Sequence, residues 1–216
     1  MSSLLQQYWP LVLEGFINTL IASVIALVFS IIIGTIMGML QLTPNKIVQS
    51  LANIYVEFFR NVPLLVVVMF FYVVIPMYWT GISGFWAGTI GLTIYTSSFV
   101  ADNVRAGILT VPGPQMEAGL SQGLKYGQVM RYIILPQAIR IVIPPLGNQA
   151  INLVKNSSIL AMVAGLDLMY YGDFVAMETF NTFDTYILVG LFYLIITLPL
   201  TFFIKRLENK LGTKDN

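Results

Sequence analysis

The sequence contains no cysteine and no histidine. Cysteine or histidine nucleophiles, imidazole general bases and zinc sites made from these residues are therefore excluded. Charged residues are scarce as well, because they make up 10% of the chain, whereas soluble domains carry about 25%. Apolar residues dominate instead: 57% of the 216 residues are hydrophobic and the mean hydropathy is +0.80. This composition predicts a membrane protein, and the net charge of +1 gives no electrostatic footprint for nucleic acid.

Long uncharged runs predict an all-α, polytopic membrane protein with five transmembrane helices in one domain, residues 1–216. A helix needs about 20 apolar residues to cross the hydrocarbon core. The run 61–101 is too long for one span and is interrupted by Pro76, Gly81 and Gly84, so it is divided between two. The predicted spans cover residues 15–41, 52–78, 85–108, 137–165 and 185–205. Gly34 and Gly38 in the first span predict a close contact with another helix of the same chain.

The distribution of basic residues predicts the orientation of these spans. With the N-terminus outside, the cytoplasmic segments hold nine Lys or Arg residues and the outer segments hold none. The two remaining basic residues, Arg60 and Lys155, fall inside predicted spans. Because basic residues accumulate in cytoplasmic loops, the sequence predicts an N-out, C-in topology.

The polar segment 113–132, called the coupling segment below, falls on the predicted cytoplasmic side. Small residues at Ala118-Gly119 beside Glu117 let the backbone approach another surface closely. Gly123 permits a left-handed or sharply bent conformation between two short helical pieces. Pro136 suits the start of the next helix and favours an extended chain before it. The segment therefore predicts a short helix along the membrane face that receives force from a partner; an ordinary amphipathic connector is the alternative.

Ionisable residues inside spans are costly and usually face a cavity or a partner. Glu57 and Arg60 are three residues apart and can pair on one helix face, and so can Asp102 and Arg105. These pairs either line a path or hold helices together. Lys155, in contrast, interrupts its span alone.

Polar residues around Lys155 predict a substrate path. Asn148, Asn152 and Lys155 recur at the spacing of one helix face, and Gln149, Asn152 and Asn156 form an overlapping stripe. Amide and hydroxyl groups supply donors and acceptors for a zwitterion, and a basic side chain can bind its carboxylate. The candidate path residues are Lys155, Asn152, Asn148, Gln149, Asn156, Ser157, Ser158, Arg60, Glu57 and Asp102. No group of residues predicts a metal site.

Five regions in order resemble the polar amino-acid uptake group of ABC transporter permeases, from about Gly15 to Leu211. They read GFINTLIASVIALVFSIIIGTIMG, YVEFFRNVPLL, FVADNVRAGILTVPGPQMEAG, LPQAIRIVIPPLGNQAINLVKNSSIL and YLIITLPLTFFIKRLENKL. The segment EAGLSQGLKYGQVMRYIILP resembles the loop by which such permeases dock into an ATPase. Two departures are Gly119, where the family commonly has Ala, and Asp102, where it usually has Glu. The ATPase-coupling residues that the resemblance implies are Glu117, Ala118, Gly119, Gly123, Leu124, Tyr126, Leu135 and Pro136.

The resemblance implies a fold like that of type I ABC importers and a location in a bacterial plasma membrane. It also implies two ABC ATPase subunits that bind ATP and Mg, a second permease copy or paralogue, an extracytoplasmic substrate-binding protein and a polar amino acid as substrate. The chain itself would be no enzyme and would hold no cofactor, because it has no phosphate-binding G-x-x-x-x-G-K-[ST] loop. Lys155 favours a substrate with a free carboxylate, which leans towards glutamine or glutamate.

The sequence leaves one functional alternative, an ion-coupled secondary transporter or channel that works without an ATPase. It would use the same intramembrane charges as ion relays. Against this alternative, the chain shows no inverted repeat, which is common in such transporters.

Overall fold

The computed structural model describes residues 2–211, and the side chains of residues 6–211. Within this range the chain forms helices and short connections and contains no β-strand. The helices are α1 (Ser2–Leu40), α2 (Lys46–Asn61), α3 (Leu64–Met69), α4 (Ile75–Tyr78), α5 (Gly84–Thr110), α6 (Gly113–Ser121), α7 (Tyr126–Val129), α8 (Leu135–Asn156), α9 (Leu168–Thr179) and α10 (Thr182–Leu211). Two π-helical turns, Phe70–Val74 and Met130–Ile134, join α3 to α4 and α7 to α8, and a 3₁₀ segment, Ser157–Val163, extends α8.

Helix α5 is the centre of the bundle, with α1, α2, α3 and α8 packed around it. Gly34 and Gly38 make the α1–α5 contact possible. A Cβ at Gly34 would lie 2.5 Å from the Cβ of Val100, and one at Gly38 would lie 2.6 Å from the carbonyl oxygen of Ala101. The close intramolecular contact predicted from these two glycines is therefore confirmed.

The second predicted span, residues 52–78, is not one straight helix. The chain bends by 107° between α2 and the helix Leu64–Tyr78. Pro63 causes the break, because proline disfavours helical geometry in the residue before it, and Val62 is accordingly extended at φ −89° and ψ 133°. Both α2 and α3 still pack against α5.

Both π-helical turns end two residues before a proline, Pro76 in one case and Pro136 in the other. A proline has no N–H to donate to the carbonyl one turn earlier, and its ring clashes with that carbonyl. The wider π turn gives the ring room. The extended chain predicted before Pro136 is therefore wrong: residues 126–163 form one continuous helical path.

Three helical stretches are long and apolar enough to cross a membrane: Gln6–Leu40, Tyr126–Val163 and Thr182–Leu211. The bent pair of α2 with Leu64–Tyr78 raises the number to four if it counts as one span. Helix α5 is long enough, but its many Gly, Ser and Thr residues lower its hydropathy. Five spans and the N-out orientation stay predictions.

Candidate substrate path and coupling segment

The polar face of α8 is the first candidate site. Asn148, Asn152 and Lys155 are all exposed on the surface of the chain and lie on one helix. Their side chains form no hydrogen bond with any described residue. We call these three residues the polar stripe. Donors and acceptors that the chain itself leaves free are available to a ligand, to water or to another subunit.

The other predicted path residues near Lys155 lie differently. Gln149 and Asn156 are half-buried at the edge of the stripe. Ser157 is fully buried, and its hydroxyl donates to the carbonyl of Val154 at 2.7 Å. Ser158 donates to the carbonyl of Lys155 at 2.9 Å. Both serine hydroxyls thus donate to backbone carbonyls of the same helical path.

Arg60 and Asp102 form an ion pair between two helices. The Arg60 Nη1 lies 3.1 Å from the Asp102 Oδ2, and the two side chains are 33% and 36% exposed. Arg60 also stacks over the ring of Phe99, 5.7 Å from its centroid. Helix α2 packs against α5, so the last turn of α2 places Arg60 within reach of Asp102 on α5.

The two intrahelical pairs predicted from spacing are therefore wrong. Glu57 accepts a hydrogen bond from Asn61 at 3.4 Å and forms no ion pair with Arg60. Arg105 has no ion pair with Asp102 among the described residues, because the carboxylate faces Arg60. Spacing along a helix shows which residues share a face but not which neighbouring helix competes for them.

Asp167, in the connection before α9, is a buried carboxylate outside the residue sets predicted from the sequence. It is fully buried and begins α9 by accepting hydrogen bonds from the backbone N–H groups of Met169 and Tyr170, both at 3.2 Å. Tyr193 approaches it from α10, with its hydroxyl 3.4 Å from Oδ2. Burial raises the pKa of Asp167 to about 6, although these hydrogen bonds oppose the shift.

The coupling segment folds as α6, a turn and the short helix α7. Gly123 lies in the turn at φ +84°, the left-handed conformation predicted for it. Glu117 and Ala118 on α6 and Tyr126 on α7 are exposed. This exposed side of the segment is available to a partner protein.

Several predicted coupling residues face inward. Gly119 is buried, and a Cβ there would lie 2.8 Å from Val129 Cγ2. Its small size therefore permits the predicted close approach to another surface, but that surface is Val129 of the same chain. Leu124 packs in the same apolar cluster, Leu135 is half-buried and Pro136 is exposed.

Leu120 is an exposed apolar residue of the coupling segment that sequence reasoning missed. It follows the buried Gly119 on α6 and so lies on a different side of the helix. An apolar residue in a polar surface segment was the available signal, although a single exposed leucine is common on protein surfaces and does not by itself mark an interface.

Apolar helices of spanning length, one of which carries a polar face, are the features of a polytopic membrane protein. The chain belongs to the family of binding-protein-dependent transport system inner membrane components, whose sequence model matches residues 30–213. It is therefore a multi-pass protein of the bacterial plasma membrane, as predicted.

Curated relatives cover nearly the whole chain. The chain is 52% identical over 209 residues to the probable glutamine ABC transporter permease protein GlnM of Bacillus subtilis, covering 97% of both chains. It is 34% identical to the glutamine transport system permease protein GlnP of Escherichia coli K12, covering 94% of this chain and 93% of that one. These likenesses confirm the predicted permease of an amino-acid ABC transporter.

Solved structures show the same fold. A crystal structure of an amino acid ABC transporter with histidines superposes with a TM-score of 0.89 at 32% identity, covering 95% of this chain and 96% of that one. The inward-facing MetNI methionine ABC transporter superposes with a TM-score of 0.79 at 20% identity, covering 95% and 98%. The predicted all-α fold of an ABC importer permease is confirmed.

Proposed function

We propose that this permease subunit carries glutamine across the plasma membrane, and that the polar stripe on α8 lines its path. The observation that carries the proposal is the stripe itself. Asn148, Asn152 and Lys155 are exposed, share one helix face and have no side-chain partner among the described residues. A polar face on a spanning helix requires water, another polar helix or a polar ligand.

Glutamine matches the chemistry of this face. Lys155 supplies a cation for the α-carboxylate, while the amides of Asn148 and Asn152 offer donors and acceptors to the ammonium group and the side-chain amide. Glutamate shares the carboxylate but adds a second negative charge that no further basic residue of the stripe meets. The names of the relatives from Bacillus subtilis and Escherichia coli also favour glutamine.

A second permease copy or paralogue would close the path. The stripe lies on the outside of this chain, so a single copy leaves it open on one side. Two chains placed with their stripes facing each other would enclose a water-filled route. In this arrangement each chain supplies one wall.

The energy would come from two ABC ATPase subunits that bind ATP and Mg, since this chain has no phosphate-binding loop. They would dock on the exposed side of the coupling segment at Glu117, Ala118 and Tyr126, with Leu120 as an apolar contact. Movement of the ATPases would then switch the permease between inward-open and outward-open states. An extracytoplasmic binding protein would deliver the amino acid.

The test is ATPase activity of the complete complex in proteoliposomes, with the binding protein and single amino acids added in turn. We expect hydrolysis to be stimulated by the binding protein together with glutamine, and not by either alone. Glutamine uptake driven by an ion gradient, with no stable association with an ATPase, would overturn the proposal in favour of a secondary transporter. Stimulation by a different amino acid would overturn the assignment of glutamine.

A further inference from the structure

A hydrogen bond between two glutamine side chains joins the coupling segment to the helix that bears the polar stripe. We propose that this pair, Gln115 on α6 and Gln137 on α8, is the positioning contact that makes α8 follow α6 when an ATPase moves it. The inference rests on the proposed function and assigns a role to two residues outside both sets predicted from the sequence.

The geometry fixes the direction of this hydrogen bond. The Nε2 of Gln137 donates to the Oε1 of Gln115. The same Nε2 donates to the carbonyl oxygen of Ile133 at 2.8 Å. Only the NH₂ end of the amide can make this second bond, so the two bonds together set which end of Gln137 faces Gln115. Gln137 is the donor and Gln115 the acceptor.

The remaining contact between α6 and the path from α7 to α8 is apolar. Gly119 lies against Val129 and Ile133, and Met116 packs in the same cluster. Apolar contacts are non-directional and resist separation more than sliding. A hydrogen bond, in contrast, weakens steeply when its length or angle changes.

Among the described residues, the glutamine pair is the one side-chain hydrogen bond between α6 and α8. Both side chains are half-buried, which limits competition from water. The pair therefore sets the register in which α6 holds the first turn of α8.

The position of Gln137 on α8 connects this contact with the stripe. Gln137 and Lys155 are 155 − 137 = 18 residues apart, which corresponds to about five helical turns and about 27 Å. After a whole number of turns two residues lie on the same face of a helix. Because α8 runs continuously from Leu135 to Asn156, a displacement imposed at Gln137 moves the helix that carries Lys155.

The experiment measures the ATP hydrolysed per glutamine transported, in proteoliposomes that contain the complete complex. Gln137→Glu removes the donor, whereas the same change at the other end, Gln115→Glu, keeps the acceptor. We expect Gln137→Leu to raise the ratio about fivefold, the bias that one net hydrogen bond gives an equilibrium. Gln137→Glu should raise it less, because the Gln115 amide can turn and donate to the new carboxylate, at the cost of the bond to the carbonyl of Ile133. Gln115→Glu should stay near the wild-type ratio.

Two further variants test the pair as a unit. Gln115→Leu removes the bond from the acceptor end, so it should raise the ratio as Gln137→Leu does. The double variant Gln115→Leu with Gln137→Leu should be no worse than either single variant, because the bond is lost only once. A role of either glutamine in folding alone would lower the yield of complex and leave this ratio unchanged.

An unchanged ratio in assembled complexes of both leucine variants would overturn the proposal. So would an equal rise in Gln115→Glu and Gln137→Glu, since it would mean that the direction of the bond is irrelevant. If the wild-type complex couples no ATP hydrolysis to glutamine uptake, the proposed function fails and this inference falls with it. That result is recognised in the wild type, before any variant is compared.

Discussion

Helices α5 and α8 both carry many polar residues, but they use them in opposite ways. On α5, Thr89 and Thr93 are buried, and each hydroxyl donates to a carbonyl of its own helix at 2.7 Å. On α8, the three residues of the polar stripe are exposed and have no side-chain partner among the described residues.

The type of polar group explains the difference. A hydroxyl can satisfy itself on the preceding turn of its helix, so it can be buried at little cost and lets neighbouring helices approach. A lysine ammonium or an asparagine amide has too many donors and acceptors to be satisfied in this way. Small hydroxyl residues in a span therefore indicate packing, while clustered amides with a lysine indicate a path.

The largest expected effect on transport comes from the stripe. Lys155→Ala should lower glutamine uptake by at least about tenfold, because one charge-assisted hydrogen bond to a carboxylate contributes about 1.5–3 kcal/mol. The complex should assemble normally, since the side chain of Lys155 is exposed and forms no hydrogen bond or ion pair with the described residues. The rate of uptake of labelled glutamine into proteoliposomes measures the loss.

The matched control for Lys155→Ala is Ser98→Ala on α5, where the lost hydroxyl bonds only to the carbonyl of Tyr95. This variant should keep most of the uptake. Normal uptake by an assembled Lys155→Ala complex would contradict the role of the stripe.

The packing role of α5 is tested at its first residue. A Cβ at Gly84 would lie 1.6 Å from the carbonyl oxygen of Val163, a backbone atom that cannot rotate away. Gly84→Ala should therefore destabilise the protein by about 3 kcal/mol or more, seen as a lower melting temperature in detergent. Gly81→Ala, in open space, is the control and should melt like the wild type. Equal melting temperatures for the two variants would show that α5 is not held this closely.

Asp167 is a buried ionisable group, and it should make the stability of the protein depend on pH. Its pKa of about 6 lies above the ordinary value of 3.8, so the folded protein binds the proton more tightly than the unfolded chain. Stability should therefore be highest below about pH 4 and fall as the pH rises to about 6. Asp167→Asn removes this titration and keeps one of the two acceptor oxygens at the start of α9, so the loss of one hydrogen bond offsets part of the gain. It should raise stability at pH 7 by at most about 3 kcal/mol.

Thermal melts of the purified complex between pH 4 and pH 7 measure this effect. The wild type should lose stability across the window relative to Asp167→Asn. Parallel curves for the two proteins would mean that the carboxylate is not desolvated.

The smallest effect is expected for the ion pair between α2 and α5. Because Arg60 and Asp102 are about one-third exposed, their pairing should contribute about 1 kcal/mol or less. Asp102→Arg should lower the melting temperature, and Asp102→Arg with Arg60→Asp should recover most of the loss. Glu57→Gln is the control and should change little. If Glu57→Gln lowered the melting temperature more than Asp102→Arg does, Arg60 would pair with Glu57 and not with Asp102.

Much of this architecture could be predicted from the sequence because it follows from local properties. The uncharged runs located the long helices, Gly34 and Gly38 predicted the α1–α5 contact, and Gly123 predicted the turn in the coupling segment. In each case the decisive property belongs to one residue or one run.

The failures have a common physical cause. The 107° bend at Pro63, the Arg60–Asp102 pair and the inward position of Gly119 all depend on how distant segments meet. A pattern along one helix does not contain this information. The substrate path and the coupling surface stay predictions, because they depend on partners outside this chain.

The most direct test of the central claim is the water accessibility of single cysteines. The chain has no cysteine of its own, so each introduced thiol is the only one it carries. In the assembled complex, Asn152→Cys on α8 should react with a membrane-impermeant thiol reagent and be protected by substrate during turnover, while Thr93→Cys on α5 should stay unreactive. Equal reactivity at the two positions, or no reaction at Asn152→Cys in any nucleotide state, would contradict the assignment of the polar stripe to a substrate path.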